Sequence, residues 1–222
     1  YSRTNCGEGF DLSDLSLTGA QGDLIRAVYA TGKPVIVVLV SGKPFAISWE
    51  KEHIPAIIAQ WYGGEQEGYA IADVLFGKVN PSGHLTYSFP QSAGHLPVYY
   101  NHLPSDKGFY KRPGSYRQSG RDYVFSSPEP LWAFGHGLSY TTFSFDKMRC
   151  DKNGYVLGDT IEVKVQIRNT GLRMGKEVVQ LYIRDLVSSV VTPVKQLKAF
   201  VKPELKPGEQ KEVTLQVPVS EL

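Results

Sequence analysis

Two hydrophobic periodicities divide the chain. In Asp23-Leu24-Ile25-Arg26-Ala27-Val28-Tyr29-Ala30 the apolar residues recur at helical spacing and stop at Gly32, which predicts a helix. Pro34-Val35-Ile36-Val37-Val38-Leu39-Val40 follows as an unbroken apolar, β-branched run. Apolar residues on both faces of a strand belong in the middle of a parallel sheet covered on both sides. A second cycle repeats the order: Ala56-Ile57-Ile58-Ala59-Gln60-Trp61 reads as a buried strand, Gly63-Gly64 as a turn, and residues 65–76 as a helix closed by Gly77. Helix, strand, short segment, strand, helix is α/β architecture, a mainly parallel sheet with helices on both faces. The runs at 35–40 and 56–60 are expected side by side, or nearly so, in its interior.

Between residues 91 and 130 the pattern dissolves into Gly, Pro, Tyr, Ser and basic residues. That is too long for an ordinary connection, so it reads as a functional loop region or a wrap around a neighbour. After Phe143 strict alternation takes over. In Thr160-Ile161-Glu162-Val163-Lys164-Val165-Gln166-Ile167-Arg168-Asn169 every second residue is apolar, the mark of a half-buried strand with Ile161, Val163, Val165 and Ile167 turned inward. Residues 177–184 and 210–217 repeat the idea, with Asn169-Thr170-Gly171 and Lys206-Pro207-Gly208 as turns. Short strands without helices predict a small antiparallel sandwich. Two domains follow, 1–142 and 143–222.

Composition narrows the function. With 24 Lys+Arg against 22 Asp+Glu and 41% hydrophobic residues, the chain reads as an ordinary globular one. Its near-neutral balance offers no electrostatic footprint for nucleic acid or an anionic membrane. No apolar run approaches the roughly 20 residues that span a bilayer. Cys6 and Cys150 lie too far apart in the sequence for a disulfide scaffold or a Cys-rich zinc module. The opening Tyr1-Ser2-Arg3-Thr4 has neither an initiator Met nor a signal-peptide pattern, and the chain is expected to belong to something longer.

Little chemistry is announced by spacing. His53, His84, His95, His102 and His136 are scattered without metal-ligand spacing, and each reads as a surface or core-edge residue, with no metal or cofactor implied. There is no GxSxG elbow, and the first strand ends in Ser41-Gly42-Lys43-Pro44 rather than GxGxxG, which argues against a serine hydrolase and a nucleotide site. In Asn5-Cys6-Gly7-Glu8-Gly9-Phe10-Asp11 a carboxylate stands between two glycines with an aromatic two residues on. Such backbone approaches a ligand closely, and the ring stacks on a sugar or shields the carboxyl from water. On spacing alone a solvated loop is the better reading. Asp11, Asp14 and Asp23 read as turn or helix-entry residues.

Several stretches, in order along the chain, resemble the second half of a glycoside hydrolase family 3 enzyme of the β-glucosidase type. The most specific are Ala70-Ile71-Ala72-Asp73-Val74-Leu75-Phe76-Gly77-Lys78-Val79-Asn80-Pro81-Ser82-Gly83-His84-Leu85 and Phe134-Gly135-His136-Gly137-Leu138-Ser139-Tyr140-Thr141-Thr142-Phe143. Gly42-Lys43-Pro44, residues 61–68, Asn169-Thr170-Gly171 and Gly175-Lys176-Glu177-Val178-Val179-Gln180-Leu181-Tyr182 add to it. The resemblance implies the family's C-terminal α/β sandwich domain over 1–142, irregular over 91–130. Over 143–222 it implies an immunoglobulin/fibronectin III-like sandwich that stops early. In the family a (β/α)8-type barrel carrying an aspartate nucleophile precedes these parts, so the chain is expected to be a fragment clipped at both ends.

By the same resemblance Gly7-Glu8-Gly9-Phe10-Asp11 matches the loop that delivers the general acid/base, which makes Glu8 the catalytic residue and Phe10 a candidate for shaping the leaving-group site. Two positions depart from the family: Leu12 where an Arg commonly follows the Asp, which removes an ion pair that would hold the loop, and Leu17-Thr18-Gly19 where Leu-Pro-Gly is usual. Thr18 is expected to cap the following helix instead. The implied substrates are oligosaccharides or β-glucosides with terminal glucose or xylose, the implied partner is the barrel of the same parent enzyme, and the implied location is periplasmic or secreted. A retaining site needs the barrel's nucleophile, so the 222 residues alone are expected to hydrolyse no glycoside. The face that would meet the barrel should be apolar enough to drive a homo-dimer. The alternative is a non-catalytic carbohydrate-binding or structural module with residues 99–123 as an aromatic platform. A family phosphorylase or N-acetylhexosaminidase is disfavoured, since such relatives often lack the last domain and place their acid/base elsewhere.

Overall fold

The computed structural model describes residues 9–10, 12–104, 114–118 and 126–222. The chain forms two compact units: Tyr1–Ala72 with Tyr87–Tyr100 and Ser105–Phe134, and Asp73–Thr86 with Asn101–Pro104 and Gly135–Leu222.

In the first unit the helical periodicity becomes α1 (Gln21–Tyr29). Its end is turned by Gly32 at φ 72°, whose N–H bonds to Tyr29 O at 3.0 Å. The two apolar runs become β1 (Ile36–Leu39) and β2 (Ala56–Ala59), paired in parallel with Ile36 opposite Ala56 and Leu39 opposite Ala59. The first run was expected to be covered on both faces. Here Val35, Val37 and Leu39 are buried, while Ile36 and Val40 are 51% and 40% exposed. Among the described residues this sheet has two strands, and one face of it is packed. Between the strands lies a short helix that periodicity did not announce, α2 (Ser48–His53), seated on buried Ile47 and Ile54. The helix expected over 65–76 is α3 (Glu67–Leu75), stopped by Gly77 at φ 72°.

Aromatic packing orders much of the rest of this unit. Phe89 pairs through its backbone with Trp132. Their rings meet edge to face at 5.6 Å, and Trp61 and Tyr87 join the same cluster. Within the region read as patternless, His95 is buried in a single 3-10 turn, Ala93–His95. It accepts the Gln91 N–H at Nδ1 (3.2 Å) and donates from Nε2 to Pro128 O (2.7 Å).

The second unit holds the sandwich. Strands β3 (Phe143–Cys150), β4 (Thr160–Asn169) and β9 (Gln210–Pro218) form one antiparallel sheet in the order β3-β4-β9. Two-stranded pairs are made by β5 (Gly175–Lys176) with β8 (Glu204–Leu205) and β6 (Val179–Ile183) with β7 (Gln196–Val201). The alternation in β4 does what a period of two requires: Val163, Val165 and Ile167 are buried, and Val163 and Val165 lie opposite Leu215 and Val213 of β9. Val165, Ile167, Val179, Leu205, Val213 and Leu215 make one core, closed by Phe143, Leu181, Ala199 and Val201.

Candidate active site

Of the residues assigned to catalysis, Glu8 lies outside the described residues, as do Asn5, Cys6, Gly7 and Asp11. The stretch that follows them is described. Gly9 sits at φ 77°, in the left-handed region that suits glycine. Phe10 is 48% exposed, so much of its ring is open to solvent. The chain then runs back along the first unit, where Ala46 N–H donates to Leu15 O at 2.8 Å. Asp14 accepts from the Ser16 hydroxyl (2.7 Å) and the Ser16 N–H (3.1 Å). Those two bonds hold its carboxyl below the usual range and make it a turn residue, as the sequence suggested. Asp23 stands in the first turn of α1, 3.6 Å from Arg26.

Thr18 does not cap that helix. The N-cap is Ala20, without a side-chain cap bond, and the Thr18 hydroxyl instead accepts the side chain of Gln21 at 3.4 Å. Standing two residues before the cap, its hydroxyl cannot take the place a Ser or Thr side chain takes at the N-cap itself.

Two charged groups that spacing did not single out are packed into the first unit. Glu50 in α2 is buried at 4% exposure. Lys43, just past β1, has its Nζ buried with no hydrogen-bond partner among the described residues, 5.7 Å over the Phe45 ring. No motif of titratable residues flagged either, because both act through burial and not through spacing.

The histidines are individually employed. His53 stacks on Trp49 at 4.3 Å with Tyr29 edge-on to both, and His102 is exposed. In the second unit His84 Nε2 lies 3.2 Å from Glu177 Oε1 and its Nδ1 2.6 Å from Gly135 O. The carboxylate and the carbonyl raise the His84 pKa against a smaller opposing effect of burial. Among the described residues no three His, Cys, Asp or Glu side chains gather into a metal site, and no helix is long and apolar enough to cross a membrane. Of the aromatic platform at 99–123, Tyr99 and Tyr116 are exposed, and Tyr100 stacks on Phe134 at 4.1 Å. Residues 105–113 and 119–123 lie outside the described residues.

The model of the glycosyl hydrolase family 3 C-terminal domain matches residues 1–140, and that of a fibronectin type III-like domain matches 177–222. A β-xylosidase of Formosa agariphila is 46% identical over 221 residues, covering 100% of this chain and 29% of that protein. A periplasmic β-glucosidase of Salmonella typhimurium is 40% identical over 97% of this chain and 28% of its own length. Among solved structures, a β-glucosidase of Listeria innocua in complex with isofagomine superposes with a TM-score of 0.83 at 38% identity, covering 96% of this chain and 29% of that one. A β-glucosidase of Erythrobacter marinus gives 0.84 at 41% identity, covering 94% and 26%. The chain thus spans less than a third of the length of these relatives, all named as glycosidases. With more than half of its residues matched by the family's own model, the chain belongs to glycosyl hydrolase family 3, as that family's C-terminal domain and an adjoining fibronectin type III-like domain.

Proposed function

We propose that this chain is the acid/base-bearing portion of a retaining β-glucosidase-type enzyme that releases terminal β-linked glucose or xylose from oligosaccharides. The observation that carries the reading is the match over 1–140, which includes the Gly7-Glu8-Gly9-Phe10-Asp11 loop, together with relatives named β-xylosidase and β-glucosidase along essentially the whole chain. Glu8, protonated, gives its proton to the leaving glycosidic oxygen while an aspartate of a preceding barrel attacks the anomeric carbon. As a carboxylate it then takes a proton from the water that releases the sugar. To act first as an acid it needs a pKa raised toward the working pH, through partial burial and the nearby negative nucleophile. Phe10, half-exposed at the end of the loop, suits a wall of the leaving-group site.

On this reading β1 and β2 belong to a mainly parallel sheet with helices on both faces, and the domain boundary falls at 142/143. The partner is the barrel of the parent enzyme, with a homo-dimer through apolar surface as a further association, and the location is periplasmic or secreted; the Salmonella relative is named a periplasmic enzyme. The test uses the enzyme that contains both barrel and chain. An activated aryl leaving group needs little protonation, so Glu8→Ala should depress hydrolysis of disaccharides far more than of nitrophenyl glycosides, and azide should partly rescue the latter. Equal losses on both substrates, without rescue, would remove Glu8 from the acid/base role.

A further inference from the structure

Two of the motifs that carry the family resemblance, Pro81-Ser82-Gly83-His84-Leu85 and Phe134-Gly135-His136-Gly137, meet in the second unit along residues 83–85 and 135–137. Leu85 N–H donates to His136 O at 2.8 Å and Gly135 N–H to Leu85 O at 2.7 Å. The His84 ring lies against this ladder with both nitrogens facing acceptors: Gly135 O at 2.6 Å from Nδ1, and Glu177 Oε1 at 3.2 Å from Nε2. A neutral imidazole has one N–H and would turn a lone pair toward one of these oxygens. Gln180 relieves that conflict only in part. Its Oε1 accepts from Tyr182 Oη at 2.6 Å and its Nε2 donates to Gly135 O at 3.1 Å. The same amide nitrogen lies 3.2 Å from His84 Nδ1, where a neutral ring would accept its second N–H, but the Nδ1 lone pair would still face Gly135 O at 2.6 Å.

The glycines make the arrangement possible. A Cβ on Gly137 would stand 2.8–2.9 Å from the His84 ring and overlap Gly83 O. One on Gly135, at φ 82°, would stand 2.8 Å from Tyr182 Oη and overlap Gln180 Oε1. The His84 and Glu177 side chains are 14% and 17% exposed, so water competes weakly for the pair.

We propose that His84 is a proton-operated latch: as an imidazolium it ties the ladder of residues 83–85 and 135–137 to Glu177, and on losing its proton it lets that ladder loosen from the β5–β6 connection. The groups acting on it are Glu177 and Gln180 from the β5–β6 side, the Gly135 carbonyl, and Lys202 beyond β7, while the Tyr182 hydroxyl stands behind Gln180 and His136 accepts the Leu85 N–H through its carbonyl. Lys202 opposes the charged form, and Glu177 and the Gly135 carbonyl favour it. The His84 pKa is raised on folding, so the stabilisation is fully present below the ordinary histidine value and is lost as pH rises through the folded value. The latch is therefore shut on the acid side and opens on the alkaline side. It stands independently of the role assigned to Glu8.

The test is an NMR titration of the isotope-labelled 222-residue chain, combined with amide exchange at Leu85 and Gly135 corrected for intrinsic rates. His84 should carry protons on both nitrogens at a pH where a free histidine is half neutral. Between the ordinary value and its own midpoint, protection of the two amides should fall by up to about tenfold per pH unit. Glu177→Gln should bring the His84 midpoint down and flatten that dependence, and His84→Lys, a permanent cation over the range, should flatten it while keeping protection. A wild-type His84 that titrates at or below the ordinary value would overturn the latch whatever the variants do. So would an unchanged pH dependence in Glu177→Gln.

Discussion

Asn169 closes β4 with no solvent exposure at all, and its amide is saturated. Oδ1 accepts from Thr141 Oγ1 at 2.7 Å and from Gly171 N–H at 3.0 Å, while Nδ2 donates to Arg173 O at 2.7 Å and Leu205 O at 3.0 Å. Asn169→Ala removes all four bonds and leaves their partners behind. Thr141 and Leu205 are themselves buried, and a buried polar group left unpaired costs about 1–3 kcal/mol. Gly171 and Arg173 are nearer solvent, and their bonds are worth about 0.5–1.5 kcal/mol each. Taking the low end throughout, the sandwich should lose at least about 3 kcal/mol, a large share of a typical domain's stability. Trp49, Trp61 and Trp132 all lie in the first unit, so tryptophan fluorescence is the wrong probe. Native-state amide exchange at Val165 of β4 and Val213 of β9 reports the right one. Asn169→Asp should lose about as much at neutral pH, because a carboxylate would face two carbonyl oxygens, and should recover part of it in acid as the protonated acid regains a donor. A loss below about 1 kcal/mol in Asn169→Ala would refute the claim that these four bonds are a structural linchpin.

Two further perturbations bear on the charged groups. Lys43→Met keeps the aliphatic stem and removes a buried ammonium that has no hydrogen-bond partner among the described residues; the first unit should become more stable, read as a higher denaturation midpoint by tryptophan fluorescence, and a lower midpoint would mean that the charge is compensated. Asp151 and Asp159 hold the β3–β4 connection. The Tyr155 hydroxyl and the Glu162 N–H lower the first, and the Val156 N–H and Lys152 lower the second. Their folded pKa values lie below the unfolded ones, so this support is present above the ordinary carboxylate range and fades as pH falls through the lowered values. Amide shifts of Val156 and Glu162 should move together in that acid window, and shifts that stay constant there would contradict the assignment.

What the sequence determined by itself was local. The 3.6-residue period of α1, the glycine stops at 32 and 77, and the two-residue period of β4 and β9 are imposed by backbone geometry over a few residues, and each formed where the pattern placed it. The assignment of Glu8 to a catalytic loop is a proposal that came from resemblance alone, because one carboxylate between two glycines has no spacing that distinguishes an acid/base from a solvated turn. Tertiary structure decided the rest. The run at 35–40 looks the same whether one face or two are covered, and only packing revealed Ile36 as open. Asn169-Thr170-Gly171 read as a turn, yet Asn169 bonds to Thr141 and Leu205, 28 and 36 residues away. His84 read as one scattered histidine of five, and Glu177, whose carboxylate lies 3.2 Å from its ring, is on a different part of the chain. Burial and charge pairing depend on which distant groups share a small volume excluded from water, and no periodicity along the chain encodes that.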